Sequence, residues 1–203
     1  MSSLDVPSSA IELFYSYSHK DEKLRNKLET HLSLLRQQGL IITWHDRKIN
    51  AGLEWKNEID TYLQKAQIIL LLISPDFLAS DYCFSVEMKQ AIERHNRGEA
   101  RVIPVILRPV YWQGAPFGKL EALPADAKPV TGAYWHNQDE AFFSVAEGIR
   151  KVVEEIVNIR SVATVPDTKT ISTTSSVISK WRKSNDLLRQ ARLACGLDTS
   201  RGC

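Results

Sequence analysis

The chain is poor in the residues that metal, redox and nucleoside-triphosphate chemistry use. Three cysteines occur in 203 residues, Cys83, Cys195 and Cys203. They form no CxxC and any pairing leaves one over, which excludes a disulfide framework and predicts a reduced, cytoplasmic setting. The nine glycines build no phosphate cradle. Gly118-Lys119 is followed by Leu120, and Gln113 stands where a GxxxxGKS/T loop needs glycine. Five histidines (19, 31, 45, 95 and 136) form no HExxH and no ligand spacing with a cysteine, so no resident metal is expected. GxSxG is missing, which removes the commonest serine-hydrolase signature. Long apolar runs are scarce as well. The longest, Ile68 to Ile73, falls far short of the roughly 20 residues a spanning helix needs. Met1-Ser2-Ser3-Leu4-Asp5 has neither the basic start nor the apolar stretch of a secretion signal, so no membrane partner is expected.

Charge of one sign is also lacking. Lys and Arg number 26 against 24 Asp and Glu, a formal +2. The balance is uneven along the chain. Residues 1–160 carry 19 basic and 21 acidic side chains, whereas 161–203 carry 7 and 3. The main body therefore offers no basic field for nucleic acid, and no nucleic-acid partner is expected. Apolar residues make up 43%, an ordinary globular share.

What is present reads as alternating strands and helices. Ile11 to Tyr15, Leu40 to Trp44, Gln67 to Ile73 and Val102 to Leu107 are near-continuous aliphatic runs, and Pro129-Val130-Thr131 is a weak fifth. Pro104 inside the fourth suggests a place toward a sheet edge. Leu24, Leu28, Leu32 and Leu35 mark a first helix that Gly39 closes. Trp55, Ile59 and Leu63 mark a second. Phe84, Met88, Ala91 and Ile92 mark a third, opened by Ser80-Asp81. Phe142, Val145, Ala146, Ile149, Val152, Val153 and Ile156 form the last stripe. Such alternation predicts an α/β fold, a flavodoxin-like five-stranded parallel sheet in the order 2-1-3-4-5 with helices on both faces. Ligands of such sheets lie beyond the strands' carboxyl ends, at the switch point between strands 1 and 3. The expected division is an N-terminal tail 1–10, one domain over 11–160, a Ser/Thr-rich linker 161–179 and a basic helical tail 180–203. That tail either packs weakly or leads into a further module.

Three stretches fall at strand carboxyl ends. They are Phe14-Tyr15-Ser16-Tyr17-Ser18 with Lys20-Asp21-Glu22, then Trp44-His45-Asp46-Arg47 with its Gly-bearing loop, then Ser74-Pro75-Asp76-Phe77 followed by Tyr82-Cys83-Phe84-Ser85-Val86-Glu87-Met88. In this order and spacing they resemble the Toll/interleukin-1 receptor (TIR) domains, in wording the bacterial branch, from about Ile11 to about Arg160. The resemblance implies two modes of action. Some members cleave NAD+ to nicotinamide and ADP-ribose or a cyclised variant, using a glutamate on the third helix; Glu87 matches that position. Others are scaffolds acting through domain–domain association.

On the first reading Glu87 is the catalytic residue, with Phe14, Tyr15, Ser16, Asp46, Trp55, Ser74 and Cys83 around the substrate. Cys83 stands where the motif often has Trp, leaving Tyr82, Phe84 or Trp55 to supply an aromatic surface. NAD+ is then a substrate and no cofactor is needed. Self-association is implied through the loop Arg47, Lys48, Ile49, Asn50, Ala51, Gly52, Leu53 and Glu54. Without the resemblance Glu87 reads as a solvated helix charge, Phe14, Tyr15 and Trp44 as core, and Asp46 as a loop cap. A phosphoacceptor domain of similar topology is disfavoured, because strand 1 ends in Tyr-Ser-Tyr rather than in acids.

Overall fold

A computed structural model describes residues 10–44, 55–80 and 86–163, though not the side chains of 55–58 or of 162 and 163. The aliphatic runs become strands: β1 (Ile11–Ser16), β2 (Ile41–Trp44), β3 (Ile68–Ile73) and β4 (Arg101–Ile106). All pair in parallel, in the order β2-β1-β3-β4. β3 is buried at every position, as a central strand covered on both faces must be. The helices are α1 (Glu22–His31), α2 (Ser33–Gln37), α3 (Trp55–Lys65), α4 (Pro75–Leu78), α5 (Met88–Asn96) and α6 (Gln138–Ala163). The chain divides into two compact units at Glu155/Ile156. The first holds the sheet; of the second, the last turns of α6 are described. Residues 164–203 lie outside the described residues, and most of the linker and basic tail read from the sequence lies with them. Among the described residues no helix is long and apolar enough to cross a membrane.

Three expectations change in detail. The leucine-marked first helix breaks at Leu32 (φ −89°, ψ 2°), so α1 and α2 are separate. Gly39 closes α2 as expected, at φ 68°, where the Leu40 N–H reaches the Leu35 carbonyl (3.0 Å) and the Gly39 N–H that of Arg36 (3.0 Å). This is a Schellman arrangement, and a left-handed residue with no Cβ penalty is what it requires. A one-turn α4 precedes the third helix, with the Ser74 hydroxyl accepting from the Phe77 N–H at 3.0 Å. Asp81 of the expected cap lies outside the described residues.

The fifth strand is the third change. Among the described residues the sheet has four, and Pro129-Val130-Thr131 is not one of them. Its amides reach the Ile106 and Leu107 carbonyls (2.9 and 3.0 Å) as a loop, while Leu123 makes a single parallel bridge to Val105. Proline explains the shortness of this edge. The Pro104 carbonyl accepts from Leu123 on the outer side of β4, so the donor Pro104 lacks would also have faced there. Pro124, directly after Leu123, has no N–H to extend the pairing.

One sheet face packs Phe14, Ile69, Leu71, Ile73, Val102 and Ile106 against α3 (Ile59, Leu63), Phe77 of α4 and α5 (Met88, Ala91). The long connection after β4 adds Trp112 and Phe117 to the same core. α6 completely buries Phe142, Val145, Ile149 and Val153 of the stripe read from the sequence, together with Ala141, while Ala146, Val152 and Ile156 are half-buried.

His95 joins the end of α5 to β4, its Nδ1 accepting from the Val102 N–H at 3.2 Å. Burial, and then Arg101, hold its pKa below the ordinary 6.5. The unfolded chain therefore takes up this proton first, and stability falls as pH drops below about 6.5 toward the lower folded pKa. Asn at this position keeps an acceptor and removes the titration. Urea midpoints measured at about pH 7.5 and about pH 5.5 should diverge less in His95→Asn than in the wild type; equal divergence would refute the assignment.

Candidate functional site

The order β2-β1-β3-β4 reverses direction between β1 and β3, and open parallel sheets bind their ligands beyond the carboxyl ends at such a switch point. Ser16 is the last residue of β1 and lies two along from Phe14, hence on the α3–α5 side of the sheet. Its hydroxyl donates to Oε2 of Glu87. Val86 and Glu87 sit in a π-helical turn that leads into α5, a local irregularity that often marks a functional position. Glu87 is only 5% exposed. An acid near the start of a helix is ordinarily a solvated charge; here it is turned inward onto the end of the central sheet.

A second polar cluster spans the ends of β1, β3 and β4. The Ser74 hydroxyl donates to Oδ2 of the buried Asp21. Arg108 Nη1 donates to Asp21 Oδ1 (3.3 Å) and Asp76 Oδ2 (2.5 Å), and Lys20 Nζ reaches Asp76 Oδ1 (2.8 Å). Lys20 and then Arg108 hold the Asp76 carboxyl below the usual carboxylate range, and Asp76 and then Asp21 raise Arg108. Two cations meet two carboxylates, so the cluster fastens three strand ends together and carries no surplus charge for an anion.

The aromatic surface on this side comes from Trp44, a core residue by its place in the sequence, and Tyr62, which no sequence motif marks. Trp44 ends β2 opposite Phe14 and stacks on Tyr62 of α3, centroids 4.1 Å apart and planes 15° from parallel. Both rings are partly buried against the Phe14 core. Gln90 lies three residues beyond Glu87, one turn along α5. Its Nε2 donates to Asp60 Oδ1 of α3 at 3.4 Å, and its Oε1 is buried without a hydrogen-bond partner. Gln90 went unmarked in the sequence, where only its i+3 spacing from Glu87 signalled it.

Of the residues expected at the site, Ser16 and Glu87 come together. Phe14 is buried in the core beneath them. Tyr15 faces the other side of the sheet, wholly buried, and burial followed by Glu29 pushes its phenol well above the usual value. The fold does not bring it to Glu87. The Ser74 hydroxyl is engaged by Asp21 and the Phe77 amide. Trp55 opens α3, but its side chain is not described; Asp46, Cys83, Tyr82, Phe84 and the loop 47–54 lie outside the described residues.

A family model described as TIR domain matches residues 13–141. Among curated proteins, the uncharacterized protein y4lF of Sinorhizobium fredii is 52% identical over 149 residues. The match takes in 73% of this chain and 46% of that protein, so the chain spans about half the length of this relative. Among solved structures, the TIR domain of the Toll-related receptor TRR-2 from Hydra magnipapillata is 18% identical. That match covers 55% of this chain and 81% of the other, at a TM-score of 0.43. The TIR domains of the activated Roq1 resistosome, which directly recognizes the pathogen effector XopQ, are 21% identical. They cover 47% of this chain and 57% of theirs, at a TM-score of 0.40.

Proposed function

The chain belongs to the TIR-domain family, and from that premise we propose that it is an NAD+ nucleosidase with Glu87 as its catalytic carboxylate. The observation that carries this reading is the burial of Glu87 against the Ser16 hydroxyl at the switch point of the sheet. A glutamate needed only for solubility would stand in water, and burying a carboxylate is costly without a compensating role.

The chemistry asks little of the protein. The C1′–N1 bond of the nicotinamide riboside breaks with its electron pair leaving on nicotinamide, which departs neutral because it was already cationic. The ribose carbon takes on oxocarbenium character, and a fixed carboxylate stabilises that charge better than reorganising water does. Water then adds at C1′ and loses a proton, giving ADP-ribose; an internal nucleophile of the same molecule gives a cyclic product instead. Ser16 orients the carboxylate. The setting of the reaction is cytoplasmic bacterial immune or cell-death signalling, and the active form is a self-associated one joined through the loop 47–54.

Nicotinamide release from NAD+, followed in dilute solution and with the protein tethered at high density on a surface, tests the reading. Turnover that rises on clustering is the expected result. Concentration-dependent association with no turnover in either format would replace it with the scaffold reading, in which the same loop and third helix only recruit other TIR domains.

A further inference from the structure

We propose that Gln90 is the specificity residue for the carboxamide of the leaving base, its Oε1 accepting a hydrogen bond from the substrate's amide nitrogen. The inference rests on the nucleosidase reading and adds to it which group the site recognises. Its starting point is the buried, unpartnered Oε1 of Gln90. A buried acceptor left empty is unfavourable by about what a lost hydrogen bond is worth, so native proteins seldom keep one without a use. The amide's orientation follows from its partner. Asp60 is a carboxylate that can only accept, so it takes the Nε2 side at 3.4 Å and leaves the oxygen without a donor.

Placement supplies the rest. Gln90 follows Glu87 by three residues, on the same side of α5 and toward α3. The stacked rings of Trp44 and Tyr62 belong to the same layer, Trp44 being a diagonal neighbour of Ser16 across the β1–β2 pair. A partly buried aromatic face, a carboxylate and an empty amide acceptor thus share one side of the sheet. A planar cationic ring bearing a primary amide matches all three. The ring is attracted to an aromatic surface, its charge lies beside a carboxylate, and its N–H donors satisfy the acceptor. The site would reject an otherwise equal ring without such donors, since Oε1 would then be buried unpaired.

The test compares NAD+ with its 3-acetylpyridine analogue, in which a methyl replaces the amide nitrogen and the carbonyl is kept. Each substrate is measured on the wild type, on Gln90→Met and on Gln90→Leu, and kcat/KM is compared for one compound across proteins so that the leaving groups' own reactivities cancel. Both variants should lose roughly tenfold on NAD+, the effect of one hydrogen bond, and stay within about twofold on the analogue. Equal losses on both substrates would mean that Gln90 only supports the fold, and no loss on either would mean that Oε1 meets no substrate donor. Each of those outcomes overturns the assignment while leaving the nucleosidase intact. A wild type that turns over neither compound, dilute or clustered, overturns the nucleosidase reading itself.

Discussion

Replacing Glu87 with glutamine should lower nicotinamide release by at least about a hundredfold while leaving the unfolding midpoint close to that of the wild type. The two side chains have nearly the same shape, and the glutamine oxygen still accepts from the Ser16 hydroxyl that now meets Oε2. What is removed is the carboxyl group itself, and with it any negative charge, on a side chain only 5% exposed at the sheet's carboxyl end. In that environment the charge acts on a developing cation with little screening, so the loss falls on kcat rather than on substrate affinity. Ser16→Ala separates charge from placement. It keeps the carboxylate and frees its orientation, and a loss of several-fold is expected, about that of one hydrogen bond. Steady-state rates of both variants, with circular dichroism to verify the fold, check the pair. Full activity in Glu87→Gln would show that no charge at this position takes part.

Much of the scaffold was legible because its signals are local. The unbroken Ile68–Ile73 run predicts a strand covered on both faces, and β3 is an interior strand buried at every position. Gly39 marks a helix end because only a left-handed residue makes that turn. Pro104 points to a sheet edge because it lacks a donor, and β4 is one of the two edge strands among the described residues. The placement of the candidate residues was legible in part for the same reason. Strand alternation already tells that Tyr15 and Ser16 face opposite sides, so both could not line one crevice. The polar cluster was not legible. Asp21, Ser74 and Arg108 meet across separations of 53 and 87 residues, and no spacing in the sequence encodes contacts made by the sheet. The break at Leu32 was hidden as well, since Leu28, Leu32 and Leu35 are all buried and keep the apolar period across it.

Arg94 is a second helix charge turned inward, 5% exposed like Glu87. Replacing it with methionine should destabilise the fold by about 2–4 kcal/mol. Its Nη1 donates to the Leu63 carbonyl and, at 2.8 Å, to that of Ala66, where α3 ends and its last carbonyls have no intrahelical partner. Nη2 adds the Glu99 carbonyl at 3.4 Å. Methionine retains the aliphatic stem and removes every donor, leaving two buried carbonyls empty at about 1–3 kcal/mol each. One term works the other way. Burial lowers the Arg94 pKa, the sign that its charge is held there at a cost, and methionine relieves that cost. The orphaned carbonyls should win, because they belong to the backbone and cannot turn toward water without unwinding the end of α3. A fall of roughly 1–2 M in the urea midpoint is the measurable form of the loss. The same contacts fasten α3 to α5, the helices that bring Asp60 to Gln90 and lead on from Glu87. Nicotinamide release should therefore decline in Arg94→Met even under conditions where the protein remains folded. An unchanged midpoint together with unchanged turnover would mean that water satisfies those carbonyls as well as the guanidinium does, and that the crevice is held by the strand-end cluster of Asp21, Ser74 and Arg108 alone.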